Sequence, residues 1–189
     1  MGKKVITFLA DGFEEVEAVT PIDYLRRAEI EVTVAAVGKD ITVKGSRGIS
    51  IIADTTLADL EQAGQLSAAS WDGAFVPGGM PGSANLAACA PLGKFYKELF
   101  AAGKITAAIC AAPAVFLAPL GLLQEKKFTC YPGKEKEVNG GIWLTDKVVV
   151  DGNLVTSRGA GTAALFALAI IEILEGKDAA KSVGEAVLL

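Results

Sequence analysis

The sequence predicts an α/β domain whose sheet is parallel and covered by helices on both faces. Three observations carry this reading. Short apolar runs alternate along the chain with longer segments of helical period, the order that builds strand–helix–strand units. Hydrophobic residues make up 51% of the chain but aromatic residues only 7%, so Ala, Val, Leu and Ile fill the core. The 189 residues include 21 glycines for turns, and the length suits one domain with a full core. No linker, internal repeat or low-complexity stretch interrupts it, so residues 1–189 read as one domain.

Lys4 to Leu9 reads as the first strand. Asp11-Gly-Phe-Glu14 resembles a capping box, with a helix from Glu14 to Ala28 that Pro21 kinks or delays. Glu31 to Val37 is a second strand. Ile41 to Val43 and Ile49 to Ile52 form a hairpin around Gly45-Ser-Arg-Gly48. Ala74 to Val76 is a short buried strand ending in Pro77-Gly78-Gly79. A helix follows at Leu92 to Ala101, with Phe95, Leu99 and Phe100 on one side. Ile105 to Ile109 is a buried strand that turns directly into a helix, Ala111 to Leu117. Ile142 to Leu144 and Lys147 to Val150 read as a second hairpin, and Asp151-Gly-Asn153 as a turn before Leu154-Val-Thr156. Thr162 to Leu174 is the last long helix, ended by Gly176, and a short helix closes the chain.

Composition excludes several function classes. The net charge is −4 and no basic run exceeds a pair, such as Lys3-Lys4. General nucleic-acid binding, which needs clustered cations, is therefore not expected. The three cysteines (Cys89, Cys110, Cys130) form no C-x-x-C pair, so neither a zinc framework nor a disulfide scaffold is expected. Free thiols suit a reducing compartment. Val5 to Ala10 is too short for a signal-peptide core or a membrane span, which makes the cytoplasm the expected location. There is no histidine, which removes Ser-His-Asp and Cys-His catalysis.

The chemistry concentrates at strand ends. Cys110 follows the strand Ile105 to Ile109, where ligands of open α/β sheets sit. Free N–H groups at the start of the next helix would favour a thiolate and lower the thiol pKa. The residues alone leave Cys110 open between a reactive thiol and a small buried hydrophobe; Cys89 and Cys130 read as structural. Pro77-Gly-Gly79-Met-Pro-Gly82 ends another strand. It reads as a plain turn, or as a backbone N–H donor that would form an oxyanion hole from Gly79 and Ala111. Glu14, Glu15 and Glu17 sit in a first helical turn, where acids suit the helix dipole. Glu14 and Glu15 read as solvated. Glu17 has Pro21 and Tyr24 on its face and is the one that could turn inward to act as an acid/base group. Gly159-Ala-Gly161-Thr-Ala-Ala164 matches a dinucleotide fingerprint by letter. No following strand or ribose-binding acid completes the unit, so it reads as a tight turn.

Four segments together resemble the ThiJ/PfpI superfamily, in the branch of the parkinsonism-associated protein deglycase. They are Gly12-Phe-Glu-Glu-Val-Glu17, Val76-Pro-Gly-Gly79, Ala107-Ala-Ile-Cys110-Ala-Ala-Pro113 and Thr156-Ser-Arg-Gly-Ala-Gly-Thr162. The resemblance implies a flavodoxin-like three-layer α/β/α sandwich with a mostly parallel sheet, and a homodimer. It implies Cys110 as nucleophile on a strained elbow, Glu17 as its protonated partner, and Gly79 and Ala111 as oxyanion-binding positions. Arg47 matches a basic residue near the family pocket. Tyr131, in Thr129-Cys-Tyr-Pro132, stands where the family often has histidine, and a phenol titrating near pH ~10 does not replace an imidazole base. Cys-His peptidase activity is therefore not expected. The implied activity is a glyoxalase or deglycase acting, without cofactor or metal, on methylglyoxal-type dicarbonyls or their early adducts. The alternative is an oxidative-stress sensor or chaperone-like protein that uses oxidation of Cys110.

Overall fold

The computed structural model describes residues 2–189. The strands are β1 (Lys4–Leu9), β2 (Glu31–Ala36), β3 (Thr42–Lys44), β4 (Ser50–Ile52), β5 (Thr55–Thr56), β6 (Gly73–Val76), β7 (Ile105–Ile109), β8 (Lys127–Phe128), β9 (Ile142–Trp143), β10 (Val148–Asp151) and β11 (Leu154–Ser157). The α-helices are α1 (Glu15–Arg27), α2 (Leu57–Gln62), α3 (Gly82–Ala87), α4 (Ala90–Ala101), α5 (Ala163–Glu175) and α6 (Lys177–Ala186). Among the described residues no helix is long and apolar enough to cross a membrane.

Seven strands form the main sheet in the order β10-β11-β7-β6-β1-β2-β5. All neighbours are parallel except β10 and β11. Alternate residues serve opposite cores, as strand geometry requires. From β1, Ile6 and Phe8 enter one core and Val5 and Leu9 the other. The first core also takes Leu92, Phe95, Tyr96 and Leu99 of α4, and the second takes Ala18, Ile22 and Leu25 of α1 with Phe166 and Ile170 of α5. Both faces of the sheet are thus covered. The chain runs from β1 outward to β2, then returns to lay β6 and β7 on the other side of β1. The order reverses between β1 and β6, and the crevice at their carboxyl ends is where such sheets bind ligands.

Several elements depart from the expectations. Ile142–Trp143 does not pair with the following segment; it lies parallel to β8. Val148–Asp151 instead forms a hairpin with β11, in which Asp151 pairs with Leu154 across Gly152-Asn153. The Asp-Gly turn, with Gly152 at φ 64°, is the stronger hairpin signal and wins the pairing. Asp11 caps nothing: its carboxylate accepts the Lys44 N–H at 2.9 Å. Glu14 is the N-cap of α1 and accepts the Glu17 N–H at 2.8 Å. Pro21 neither delays nor ends α1. Its missing N–H lies opposite the Glu17 carbonyl, four residues earlier, and the remaining ladder carries the helix past it. The helix expected at Ala111–Leu117 is a π-helical turn over Pro113–Leu117, closed by Ala118 N–H on the Pro113 carbonyl at 2.9 Å.

Candidate active site

Cys110 is the residue after β7 and adopts φ 65°, the left-handed region that disfavours a side chain by about 1–2 kcal/mol. Backbone bonds on both sides hold it there. Its N–H donates to Ser157 O of β11 at 2.9 Å, and its carbonyl accepts the Tyr131 N–H at 2.7 Å. The N–H groups of Gly79 and Ala111 donate to the sulfur. The side chain is half-buried.

Glu17 comes from α1 and is 1% exposed. Its Oε2 accepts the Gly78 N–H at 2.8 Å, and its carboxylate also takes the Ala160 N–H and the Cys110 thiol. Burial pushes the carboxyl up from its usual 4.5 to about 7; Glu14's charge adds to the rise, and the three donors oppose it. Gly78 makes the approach feasible. A Cβ there would lie 2.6 Å from the Cys110 Cβ and 2.8 Å from Glu17 Oε2. Gly79, at φ 87°, is equally confined: a Cβ would meet Glu14 N at 2.5 Å and Gly12 O at 2.6 Å.

The thiol itself corrects the sequence reading. Burial and the neighbouring Glu17 push Cys110 up to about 12, and the Gly79 and Ala111 N–H groups only partly offset them. The expected lowering by the Ala111 N–H at the start of the next helical turn is present, but desolvation and the neighbouring carboxyl, which the sequence reading did not weigh, exceed it. The sulfur and the carboxyl therefore titrate as a pair. Burial pushes both groups up, so across the neutral range they share a proton along the Cys110–Glu17 hydrogen bond.

A cavity of about 460 Å³ opens over this pair. Cys110, Glu17, Gly79 and Ala111 lie in it together with Arg47 and Tyr131, so all six sequence-predicted positions meet at one site. Arg47 is exposed on the turn between β3 and β4, and Tyr131 is 53% exposed. Glu14, Ser46, Met80, Lys134 and Ala160 complete the lining. Ala160 carried a signal that the sequence reading did not use: the Gly159–Gly161 turn is present, and its N–H serves Glu17 rather than a phosphate. Cys130 is fully buried in an apolar core, which with Glu135's charge pushes its thiol up to about 12. Cys89 is half-buried before α4. Among the described residues no group of three or more His, Cys, Asp or Glu side chains converges as a metal site would.

Glu15 is the largest departure. It was expected in solvent but is 4% exposed. Its Oε1 accepts the N–H groups of Arg47 at 2.6 Å and Ile49 at 3.3 Å, and its Oε2 the Ser46 hydroxyl at 3.4 Å. Nothing in its own helical context signals this, because the partners lie some thirty residues away, on a loop that folds back over α1.

With the geometry in place, the sequence settles the kinship. The family model of the DJ-1/PfpI family matches residues 3–173. The chain belongs to this family. It is 41% identical over 182 residues to Protein DJ-1 homolog B of Arabidopsis thaliana, covering 96% of this chain but only 40% of that longer protein. It is 36% identical over 170 residues to the glutathione-independent glyoxalase DJR-1.2 of Caenorhabditis elegans, covering 89% of this chain and 87% of that one. The solved structure of oxidized Toxoplasma gondii DJ-1 superposes with a TM-score of 0.93 at 38% identity, covering 99% of this chain and 98% of that chain. The sandwich is therefore shared with that relative over nearly its whole length, in keeping with the flavodoxin-like architecture expected.

Proposed function

We propose that this DJ-1/PfpI protein is a cysteine-dependent glyoxalase or deglycase that needs no cofactor and converts methylglyoxal-type dicarbonyls, or their early adducts, to 2-hydroxy acids. The observation that carries the reading is one buried contact: a thiol donating to a carboxylate that titrates near 7, under two backbone N–H groups. A base with that pKa is matched to neutral-pH proton transfer. Glu17 takes the Cys110 proton as the sulfur adds to the aldehyde carbon and returns it to the resulting oxyanion, giving a neutral hemithioacetal. The Gly79 and Ala111 N–H groups stabilise the oxygen as charge develops on it. Glu17, ionised again, removes the hydrogen of the former aldehyde carbon and delivers it to the neighbouring carbon through an enediol, while the hydroxyl proton passes from the first oxygen to the second. The result is a thioester, and water releases the 2-hydroxy acid and restores the thiol. Arg47 and Tyr131 bound the substrate at the rim. Among relatives, a protein named as a glyoxalase supports this assignment.

The test is lactate formation from methylglyoxal by Cys110→Ala. Complete loss with the fold retained is the expected result; activity above a few per cent of wild type refutes the assignment. The reading extends to a cytoplasmic homodimer. Val16, Val19, Ile49 and Ile52 are exposed apolar side chains on α1 and the hairpin β3–β4, beside the cavity, and suit burial against a second copy. Sedimentation of wild type against Val19→Glu checks this, and a monomeric wild type rejects it.

An oxidized relative favours a second reading, an oxidative-stress sensor in which Cys110 passes to sulfenic and then sulfinic acid. Mild peroxide followed by intact-mass analysis discriminates. Selective gain of two oxygens at Cys110, without dicarbonyl turnover, selects the sensor.

A further inference from the structure

Both members of the Cys110–Glu17 pair are held by the end of β11 and the turn that follows it. Ser157, the last residue of β11, is fully buried, and its carbonyl accepts the Cys110 N–H at 2.9 Å. Two residues on, Gly159 lies against Glu17: a Cβ there would sit 3.8 Å from Glu17 Oε1 and 3.6 Å from the Tyr131 ring. Ala160 then gives its N–H to the Glu17 carboxylate. That N–H makes no backbone bond among the described residues. One hydroxyl holds the turn in this shape. Thr162 Oγ1 accepts the N–H groups of Arg158 at 3.2 Å and Gly159 at 3.1 Å, and lies 2.7 Å from Ser157 Oγ. Each hydroxyl has one proton to donate. Ser157 donates its own to Lys147 O at 2.7 Å, and Gly159 O already accepts the Thr162 N–H at 2.8 Å, so the Thr162 hydroxyl proton goes to Ser157.

We propose that Thr162 is a positioning residue: paired with Ser157, its hydroxyl fixes the Arg158–Thr162 turn so that the Ala160 N–H stays on Glu17 while the same strand end holds Cys110. This role rests on the proposed acceptance of the Cys110 proton by Glu17. An N–H on a carboxylate stabilises the ionised form. Burial pushes the Glu17 carboxyl up to about 7, and Ala160 is one of the three donors that restrain it. Without that donor the carboxyl would hold its proton further into the neutral range and accept the thiol proton less readily there. The other charged and titratable groups around Glu17 are Cys110, Glu14, Arg47, Tyr131 and Lys134, and none belongs to the turn. Arg158, which does, donates to Thr145 O at 3.1 Å. The helix α5, packed against α1, carries no charge before Glu172 near its far end. Releasing the turn therefore changes hydrogen bonds and no charge.

The test is the titration of the Glu17 carboxyl, followed by NMR of a carbon label and identified by the loss of its signal in Glu17→Gln. Ala160→Pro deletes the donor alone. Ala160 opens a short helical turn, where proline is tolerated, and Gly159 before it is extended (φ 165°, ψ −174°), as the residue preceding proline prefers. In that variant the Glu17 midpoint rises by about half to one pH unit, the worth of one hydrogen bond. Thr162→Val, which keeps the shape and loses the hydroxyl, raises the midpoint in the same direction, and Thr162→Ser restores it. The pH step in Cys110 alkylation by iodoacetamide moves with the midpoint. A purely structural role for Thr162 would lower the melting temperature of Thr162→Val and leave the midpoint in place. An unmoved midpoint in Ala160→Pro or in Thr162→Val overturns the proposal; should either variant fail to fold, the other decides. The titration needs no turnover, so lactate formation persisting in Cys110→Ala would refute the glyoxalase reading alone.

Discussion

Glu15 and Glu17 stand two residues apart in the first turn of one helix, and both are almost completely buried. Their carboxyl groups nevertheless move in opposite directions. Glu15 falls below its usual value because backbone N–H groups and a hydroxyl converge on it and outweigh burial. Glu17 rises to about 7 because burial dominates, and one of its three donors is a thiol, a weak one. The two differ in depth as well as in donors: Glu15 lies just beneath the exposed Ser46–Ile49 turn, where its donors outweigh a small desolvation, and Glu17 lies deep beside Cys110, where desolvation outweighs its donors.

The sharpest way to break this contrast is Glu17→Gln. Removing a general base lowers kcat by about 10²–10⁴-fold, whereas Glu15→Ala, which releases the Ser46–Ile49 turn, acts on stability and leaves the Cys110–Glu17 pair in place. Steady-state kinetics with methylglyoxal and urea unfolding separate the two.

Stability should diverge as well. Glu17's folded value lies above its unfolded one, so between about pH 4.5 and 7 the folded state binds more protons and loses stability as pH rises. The shift corresponds to about 3 kcal/mol, fully present below pH ~4.5 and gone above pH ~7. Urea unfolding across that window should show this slope in wild type and not in Glu17→Gln. Glu15 has the opposite sign: its contribution is present above its unfolded pKa and is lost as pH falls through its lowered folded one.

Smaller effects probe the spacing. Gly78→Ala wedges a methyl between Cys110 and Glu17, and should destabilise by about 1–3 kcal/mol while slowing Cys110 alkylation. Smallest is the elbow strain. Cys110→Gly should be about 1 kcal/mol more stable than Cys110→Ala, because only glycine is at ease at φ 65°. Equal stabilities would show that the bend stores no strain.

Much of this was legible in the chain. Alternating strands and helices gave the covered parallel sheet, and Cys110, Gly79 and Ala111 were found because strand ends are read locally. Glu17 turned inward as its spacing to Pro21 and Tyr24 suggested. Glu15 was misread because its partners, Arg47 and Ile49, reach it only through the fold. The thiol's direction was missed for a related reason: a short apolar run ending in Cys110-Ala-Ala-Pro113 does not show how deeply the fold buries the sulfur. Nor does it give the charge that another segment places beside the sulfur.

The central claim is that Glu17 is the proton acceptor for Cys110. The direct measurement is the rate of Cys110 alkylation by iodoacetamide against pH, in wild type and Glu17→Gln. The account predicts that the wild-type rate steps up near pH 7 as Glu17 ionises, and that the variant lacks this step. A wild-type profile with no step there, or a variant that keeps it, would contradict the account.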